Sequence, residues 1–438
     1  MIRRLLAGAA GAALLGLSAP ASAATSPELP GAAVQLSPAT AQAVADFYAR
    51  RGGNPLWLHG GTDSSAVREL IGVLDRAPLD GFSGGPAVAV QAQALLARAQ
   101  TGDRSALNAA DRLLSAAWVS YVQMLERPPS GMIYADSWAA PRRDSPLQIL
   151  NGAANAPSLA AHVRSVSEVN PLYAQLREAA WAEMQSNGGT VDPRVLTSLD
   201  RARDMPFQHK YIMVDTASAR LYMIEDGRIV GSMKVAVGKP GAKTQTPMLA
   251  STIYYATLNP YWHVGPELVK SLIAKNVLDQ GLGYLSRQGY QVMPADPNDD
   301  RLLNPADIDW HAVADGTFQV RVRELPGPAN SMGRLKFGFP NSYDIYLHDT
   351  PMKDLFAQDD RTISHGCIRL QDAEQLADWM LGHDPQTVSN APEQNVPLPT
   401  PVPIYITYLT AQVQDGQLTF VDDIYGRDAQ AERMAALK

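Results

Sequence analysis

A chain of 438 residues with one cysteine has no disulfide framework, so its fold must rest on a buried apolar core. Hydrophobic residues make up 46% of the chain, which is enough to build one. That cysteine, Cys367, stands in the run Ser364-His365-Gly366-Cys367-Ile368-Arg369-Leu370. A thiolate is the strongest nucleophile a side chain offers near neutral pH, and a neighbouring His or an N–H-rich turn lowers its pKa. Gly366 permits a close backbone approach or a positive φ, and N–H groups around Gly366 and Cys367 would then face a developing oxyanion. The plainer reading of a lone Cys is an inert small hydrophobe in the core.

A Cys nucleophile needs a base, and the base needs an orienting acceptor. Nineteen residues before Cys367 stands His348, in Tyr346-Leu347-His348-Asp349-Thr350-Pro351. Tyr343 to Leu347 reads as a short apolar strand that puts His348 at its end. A His followed after this gap by Ser-His-Gly-Cys, with Ile368 and Arg369 behind it, resembles the signature of the L,D-transpeptidases, cysteine enzymes that cross-link bacterial peptidoglycan. The resemblance implies acyl transfer: His348 takes the Cys367 proton and returns it to a leaving amine. The third member is a backbone carbonyl in that family, here that of Asp349; the Asp349 carboxylate is the alternative. The donor would be a tetrapeptide stem attacked at the L-centre carbonyl of its third residue. Its terminal D-alanine leaves, and an amine of a second stem resolves the thioester. The resemblance also implies acylation by carbapenems.

Other residues near the motif divide between roles. His365 tunes the thiolate or orients the loop. Arg369 binds a substrate carboxylate or makes a structural ion pair. Ser364 is carried over as a substrate contact. Tyr346 is expected to face the core, with substrate contact as the alternative. Trp262 is either core or an aromatic wall of the substrate groove.

The chain opens with Met1-Ile2-Arg3-Arg4, an apolar run from Leu5 to Leu17, and Ala21-Ser22-Ala23, the pattern of a cleaved signal peptide over 1–23. The apolar run is shorter than the roughly 20 residues a membrane span needs. Export to the periplasm and no transmembrane helix in the mature chain are the expectations. Cleavage removes Arg3 and Arg4 and makes the formal charge, −7 for the whole chain, more negative by two. No basic cluster or zinc-finger spacing points to nucleic acid. No cofactor is called for, and a monomer is expected.

Residues 24–205 read as a helical scaffold. Pro38 to Tyr48, Ala106 to Leu125 and Leu172 to Met184 carry apolar stripes at helical spacing, with Ser37 as a cap for the first. Gly and Pro clusters at Gly52–Pro55, Gly81–Pro86 and Pro128–Gly131 separate the segments. Phe47 to Trp57 and Asn170 to Tyr173 resemble the N-terminal scaffold of the larger Gram-negative L,D-transpeptidases. The small peptidoglycan-binding module of many such enzymes has no room here, because only Ser186 to Pro206 lies in its place and roughly twenty residues cannot build it.

From Lys210 the pattern turns to β, with strands at Tyr211–Asp215, Arg220–Ile224 and Ile229–Val237 and a turn at Glu225–Arg228. Residues 206–427 resemble the family's catalytic domain, with 265–330 as its inserted capping subdomain. Asp296 to Pro305 reads as a mobile loop there, and Phe318 to Arg323 as a strand. Asp372 to Leu381 is an amphipathic helix. Gln386 to Pro403 is extended. Pro403 to Leu409 and Gln417 to Val421 form a hairpin around Asp415-Gly416, and 428–438 is a helical tail. The fold class is α+β.

Three other readings use the same residues. His348, Asp349, His365 and Cys367 could surround zinc, although His365 and Cys367 are close together for co-ligands. A wall-binding protein with a vestigial site is the second. An L,D-carboxypeptidase, with water in place of the acceptor amine, or a lipoprotein-attaching transpeptidase is the third, and the motif does not separate these from stem cross-linking.

Overall fold

The computed structural model describes residues 37–204, 209–384 and 391–436, the last five by backbone alone. The signal peptide expected over 1–23 lies outside the described residues. Among the described residues, eight helices form the N-terminal half: α1 Pro38–Arg50, α2 Ser65–Arg76, α3 Gly85–Gln100, α4 Arg104–Leu125, α5 Pro146–Asn155, α6 Leu159–Glu168, α7 Pro171–Ser186 and α8 Pro193–Ala202. Their starts are chemically marked. Ser37, Ser64, Asp103, Ser145, Asn170 and Asp192 each accept a backbone N–H of the first turn. α4 is the hub: Leu114, Trp118, Tyr121 and Leu125 are fully buried in a cluster drawn from α1 to α6. Asp111 of α4 is buried and accepts the N–H groups of Leu56, Trp57 and Leu58 at 2.8 to 3.0 Å. That anchors the Gly52–Pro55 break to the helix behind it.

Fifteen strands follow the order β1 Ile133–Tyr134, β2 Lys210–Asp215, β3 Arg220–Glu225, β4 Arg228–Gly238, β5 Leu249–Leu258, β6 Trp262–Val264, β7 Tyr290–Pro294 and β8 Val320–Glu324. Then come β9 Leu335–Gly338, β10 Tyr346–His348, β11 Thr362–Ser364, β12 Ile368–Leu370, β13 Gln394–Thr407, β14 Ala411–Gln414 and β15 Gln417–Phe420. The main sheet runs β1-β5-β13-β2-β3-β4-β12-β10-β9, with β11 beside β4. Because β9 also pairs β5, the sheet closes on itself. Its interior is filled by Val214, Leu221, Val235, Phe337, Leu347, Ile368, Ile404 and their neighbours, together with the helix Ala373–Leu381.

The insertion between β5 and β9 has a sheet of its own, β6-β8-β7, and its own core of Val269, Ile273, Val277, Val292, Trp310 and Val322. Its first helical run is continuous from Pro266 to Gln280, with a π turn at Val269–Ile273. The polar segment read as a mobile loop is held: Arg321 of β8 donates to the Asp299 carbonyl at 2.5 Å and pairs with Asp300 at 3.0 Å.

Two expectations are corrected. Tyr343 to Leu347 is a strand only from Tyr346; Tyr343 is half exposed, and Asp344 takes a φ of +54° in a turn held by Asn341. The terminal hairpin pairs β14 with β15, through Asp415 and Gly416, both at positive φ. The run Pro403–Thr407 instead lies in β13, between β5 and β2, where both faces are covered. The helical tail is fastened at its start: Asp428 is buried, and Arg201 of α8 pairs with it at 2.5 Å.

Candidate active site

The site is a consequence of strand register. β10 runs parallel to β12 with Leu347 opposite Ile368 and His348 opposite Arg369. Leu347 and Ile368 point into the closed sheet and are fully buried. Side chains alternate along a strand, so Tyr346, His348 and Arg369, with Cys367 just before β12, share the outer face. On the other side β9 brings Lys336 opposite His348, and β4 brings Ala236 opposite Arg369. One row therefore reads Lys336, His348, Arg369, Ala236 across four strands.

His348 is buried, and its Nδ1 donates to the Asp349 carbonyl at 2.6 Å. A carbonyl can only accept, so Nδ1 carries the proton and Nε2 is the free base. The Asp349 carboxylate is committed elsewhere. Lys353 Nζ lies 2.6 Å from Oδ1, and the Arg334 N–H donates to Oδ2 at 2.9 Å. Gly333 permits this approach: its φ is +60°, and a Cβ there would lie 2.2 Å from Oδ2. Burial first, and then the Arg369 charge, push the His348 imidazole down to about 3. It is neutral at ordinary pH.

Cys367 is half-buried. Its thiol donates to the Asp344 carbonyl at 3.5 Å, and both the N–H and the hydroxyl of Tyr346 reach its sulfur. Burial raises the thiol above its usual value, while those two donors and the charges of Lys336 and Arg369 pull the other way. Tyr346 is half-buried with its hydroxyl turned to the site, so it is not a core residue of the closed sheet. Burial and the Cys367 charge raise its hydroxyl well above the usual value, which keeps it a proton donor. The nearby Trp262 indole pulls the other way. Trp262 also packs on the insertion's core beside Tyr290, at 6.4 Å between ring centroids. The core alternative named for it in the sequence thus describes its packing.

The loop before Cys367 is fastened from within. Ser364 is buried; its hydroxyl donates to the Cys367 carbonyl at 2.6 Å and accepts the Gly366 N–H at 3.1 Å. Ser364 is therefore a loop staple, and the Gly366 N–H is not available to an oxyanion. Gly366 is still required as glycine. It has a φ of +120°, and a Cβ would lie 3.0 Å from Ile345 Cδ1. His365 is exposed. Arg369 makes no ion pair among the described residues; its buried Nε has no hydrogen bond, and its Nη1 donates to the Met352 sulfur at 3.6 Å. The four side chains of the zinc reading do not converge: no group of three metal-ligating side chains forms among the described residues.

Two residues were not singled out in the sequence. Thr246 donates to the Gly366 carbonyl at 2.8 Å and accepts the Gly238 N–H at 2.9 Å, tying the loop to β4. Lys336 lies on β9 with its Nζ 4.5 Å from the centre of the Tyr346 ring. Pairing of β9 with β10 brings Lys336 to the site, and side-chain hydrogen bonds bring Thr246.

Comparison with known proteins finds the following similarities. The YkuD family model, an L,D-transpeptidase catalytic domain, matches residues 209–404, and a Scaffold domain model matches residues 42–179. A Haemophilus influenzae protein provisionally assigned as an L,D-transpeptidase is 27% identical over 399 residues, covering 88% of this chain and 78% of that one. Among solved structures, a Cys-to-Ser mutant of an Enterococcus faecium L,D-transpeptidase is 13% identical, covering 46% of this chain and 52% of that one, at a TM-score of 0.23. An L,D-transpeptidase from Mycobacterium smegmatis is 17% identical, covering 45% and 58%, also at 0.23. An L,D-transpeptidase in complex with imipenem is 14% identical, covering 45% and 58%, at 0.22. The chain thus spans between half and three-fifths of the length of those solved chains. The chain thus carries an L,D-transpeptidase catalytic domain at 209–404, preceded by a Scaffold domain at 42–179.

Proposed function

We propose that this protein is a peptidoglycan L,D-transpeptidase with Cys367 as nucleophile and His348 as general base. The observation that carries the reading is the shared outer face of β10 and β12. It holds the thiol and a neutral imidazole whose tautomer is set by the Asp349 carbonyl. His348 Nε2 takes the thiol proton, and Sγ attacks the L-centre carbonyl of the donor's third residue. The oxyanion lies towards the Cys367 N–H and the Tyr346 hydroxyl. The C–N bond breaks, His348 returns the proton to the departing D-alanine amine, and a thioester remains. The acceptor amine attacks that carbonyl, loses its proton to His348 and regenerates the thiol.

Trp262 places the insertion at the edge of the site, so a donor must fit beneath it. The reading puts the protein in the periplasm, delivered by residues 1–23. Imipenem binding, reported for one relative, is extended to this chain: a carbapenem acylates Cys367 stably, and a bulky penicillin more slowly or less stably. The test is incubation of the purified protein with tetrapeptide stems, followed by mass spectrometry of the muropeptides. Cross-linked dimers with loss of D-alanine are expected. Tripeptides alone would mean that water resolves the thioester, and unchanged stems would end the acyl-transfer reading.

A further inference from the structure

Lys336 and Arg369 flank His348 in register, one on each neighbouring strand. Strands lie about 4.8 Å apart, so the two cationic residues stand about 10 Å apart at the backbone with the base between them. Neither has an ion-pair partner among the described residues. Arg76 and Arg203 also have a buried Nε without a hydrogen bond, but Arg203 pairs with Asp200 at 2.7 Å and Arg76 lies in the scaffold, away from this row. Arg369 has only a sulfur, which is a weak acceptor. Glu393 feels the Lys336 charge, but its carboxylate is held by the Tyr261 N–H at 2.8 Å and faces His263 at 3.8 Å.

This arrangement works against the reaction as it stands. Both cations disfavour a protonated His348, yet the base must carry that proton between attack and departure. A contact with the Tyr346 ring is worth about 0.5–1 kcal/mol where exposed, which is little return for placing a charge there. An arriving anion reverses the balance. The departing residue of a stem supplies one: its carboxylate is two bonds from the nitrogen that His348 must protonate.

We propose that Lys336 and Arg369 form a carboxylate subsite for the free C-terminus of the donor's departing residue, and that Lys336 is a specificity-determining residue. The assignment rests on the acyl-transfer reading and adds to it a requirement for a free terminal acid. Occupancy of the subsite neutralises the charge beside His348 when the imidazole takes its proton.

The experiment compares Cys367 acylation rates, by intact-protein mass, for a tetrapeptide donor and the same peptide as its C-terminal amide. The native protein is expected to prefer the acid by about ten- to a hundred-fold, the worth of a charge-assisted hydrogen bond. Lys336→Met keeps the apolar stem and is expected to remove most of that preference by slowing the acid alone. Lys336→Arg keeps the charge and is expected to keep the preference, which separates charge from packing. Equal slowing of acid and amide in Lys336→Met, or no preference in the native protein, would overturn the subsite while leaving acyl transfer intact. No acylation of the folded native protein by either donor would overturn the acyl-transfer reading and the subsite with it.

Discussion

Two polar clusters in this molecule are buried to different ends. In the scaffold, Asp80 is almost fully buried and completely partnered: Tyr121 and Tyr173 donate to it at 2.7 and 2.5 Å, and Arg177 lies 3.5 Å away. At the candidate site, Arg369 and Lys336 flank a neutral imidazole with no carboxylate in ion-pair distance among the described residues. A buried charge costs several kcal/mol unless it is paired. The scaffold spends its partners on holding α4 and α7 together. The site leaves its cations for something that is not part of the chain.

The comparison breaks first at the site. Cys367→Ala is expected to abolish acylation without unfolding the protein, since little volume is lost. His348→Ala should slow it by roughly 10²–10⁴, the usual worth of a general base. His365→Ala should cost much less, because that side chain is exposed. Rates of adduct formation check all three, and equal losses in the two His variants would mean that the base is misassigned.

Asp80→Ala gives the converse. It strands Arg177 and two hydroxyls in the interior and should cost about 3–5 kcal/mol of stability. The acylation rate of the folded fraction should be unchanged. Arg369→Met should do the opposite, with stability unchanged or improved and acylation slowed. Denaturant melts and acylation rates on both variants draw the contrast, and a large stability loss in Arg369→Met would show that a partner of Arg369 had been missed.

The pH profile sharpens it further. The base form of His348 persists down to about pH 3, so acylation should show no inflection near the ordinary imidazole value of about 6.5. In Arg369→Met the imidazole loses one of the three influences holding it down, burial, Arg369 and Lys336, and any acid limb should move to higher pH. An inflection near 6.5 in the native protein would mean that His348 is wetter than its packing indicates. The smallest effect belongs to Asp349→Asn: the carbonyl that orients His348 remains, and only the partly exposed Lys353 pair is lost, about 1 kcal/mol or less.

What could be read from the sequence divides along the same line. The Cys367 motif, the base nineteen residues before it, the capped helices and the first three strands of the catalytic domain all depend on local chemistry or short-range pattern. Contacts made by pairing were not legible. Lys336 is an ordinary residue in an apolar run until β9 folds back on β10. Thr246 is an ordinary threonine until its hydroxyl meets Gly366. The run Pro403–Thr407 resembles a hairpin arm because a strand covered on both faces and a short exposed one share an apolar composition. The role of Ser364 was misread for a related reason: a hydroxyl beside a nucleophile looks free until the turn closes and consumes it.

The most direct test is the mass of the intact protein after incubation with a tetrapeptide donor. The account predicts that the native chain gains the mass of the donor less one alanine and that the adduct maps to Cys367. The gain should be absent in Cys367→Ala and strongly slowed in His348→Ala. A folded native chain that gains nothing, or a Cys367→Ala variant that gains the same mass, would contradict it.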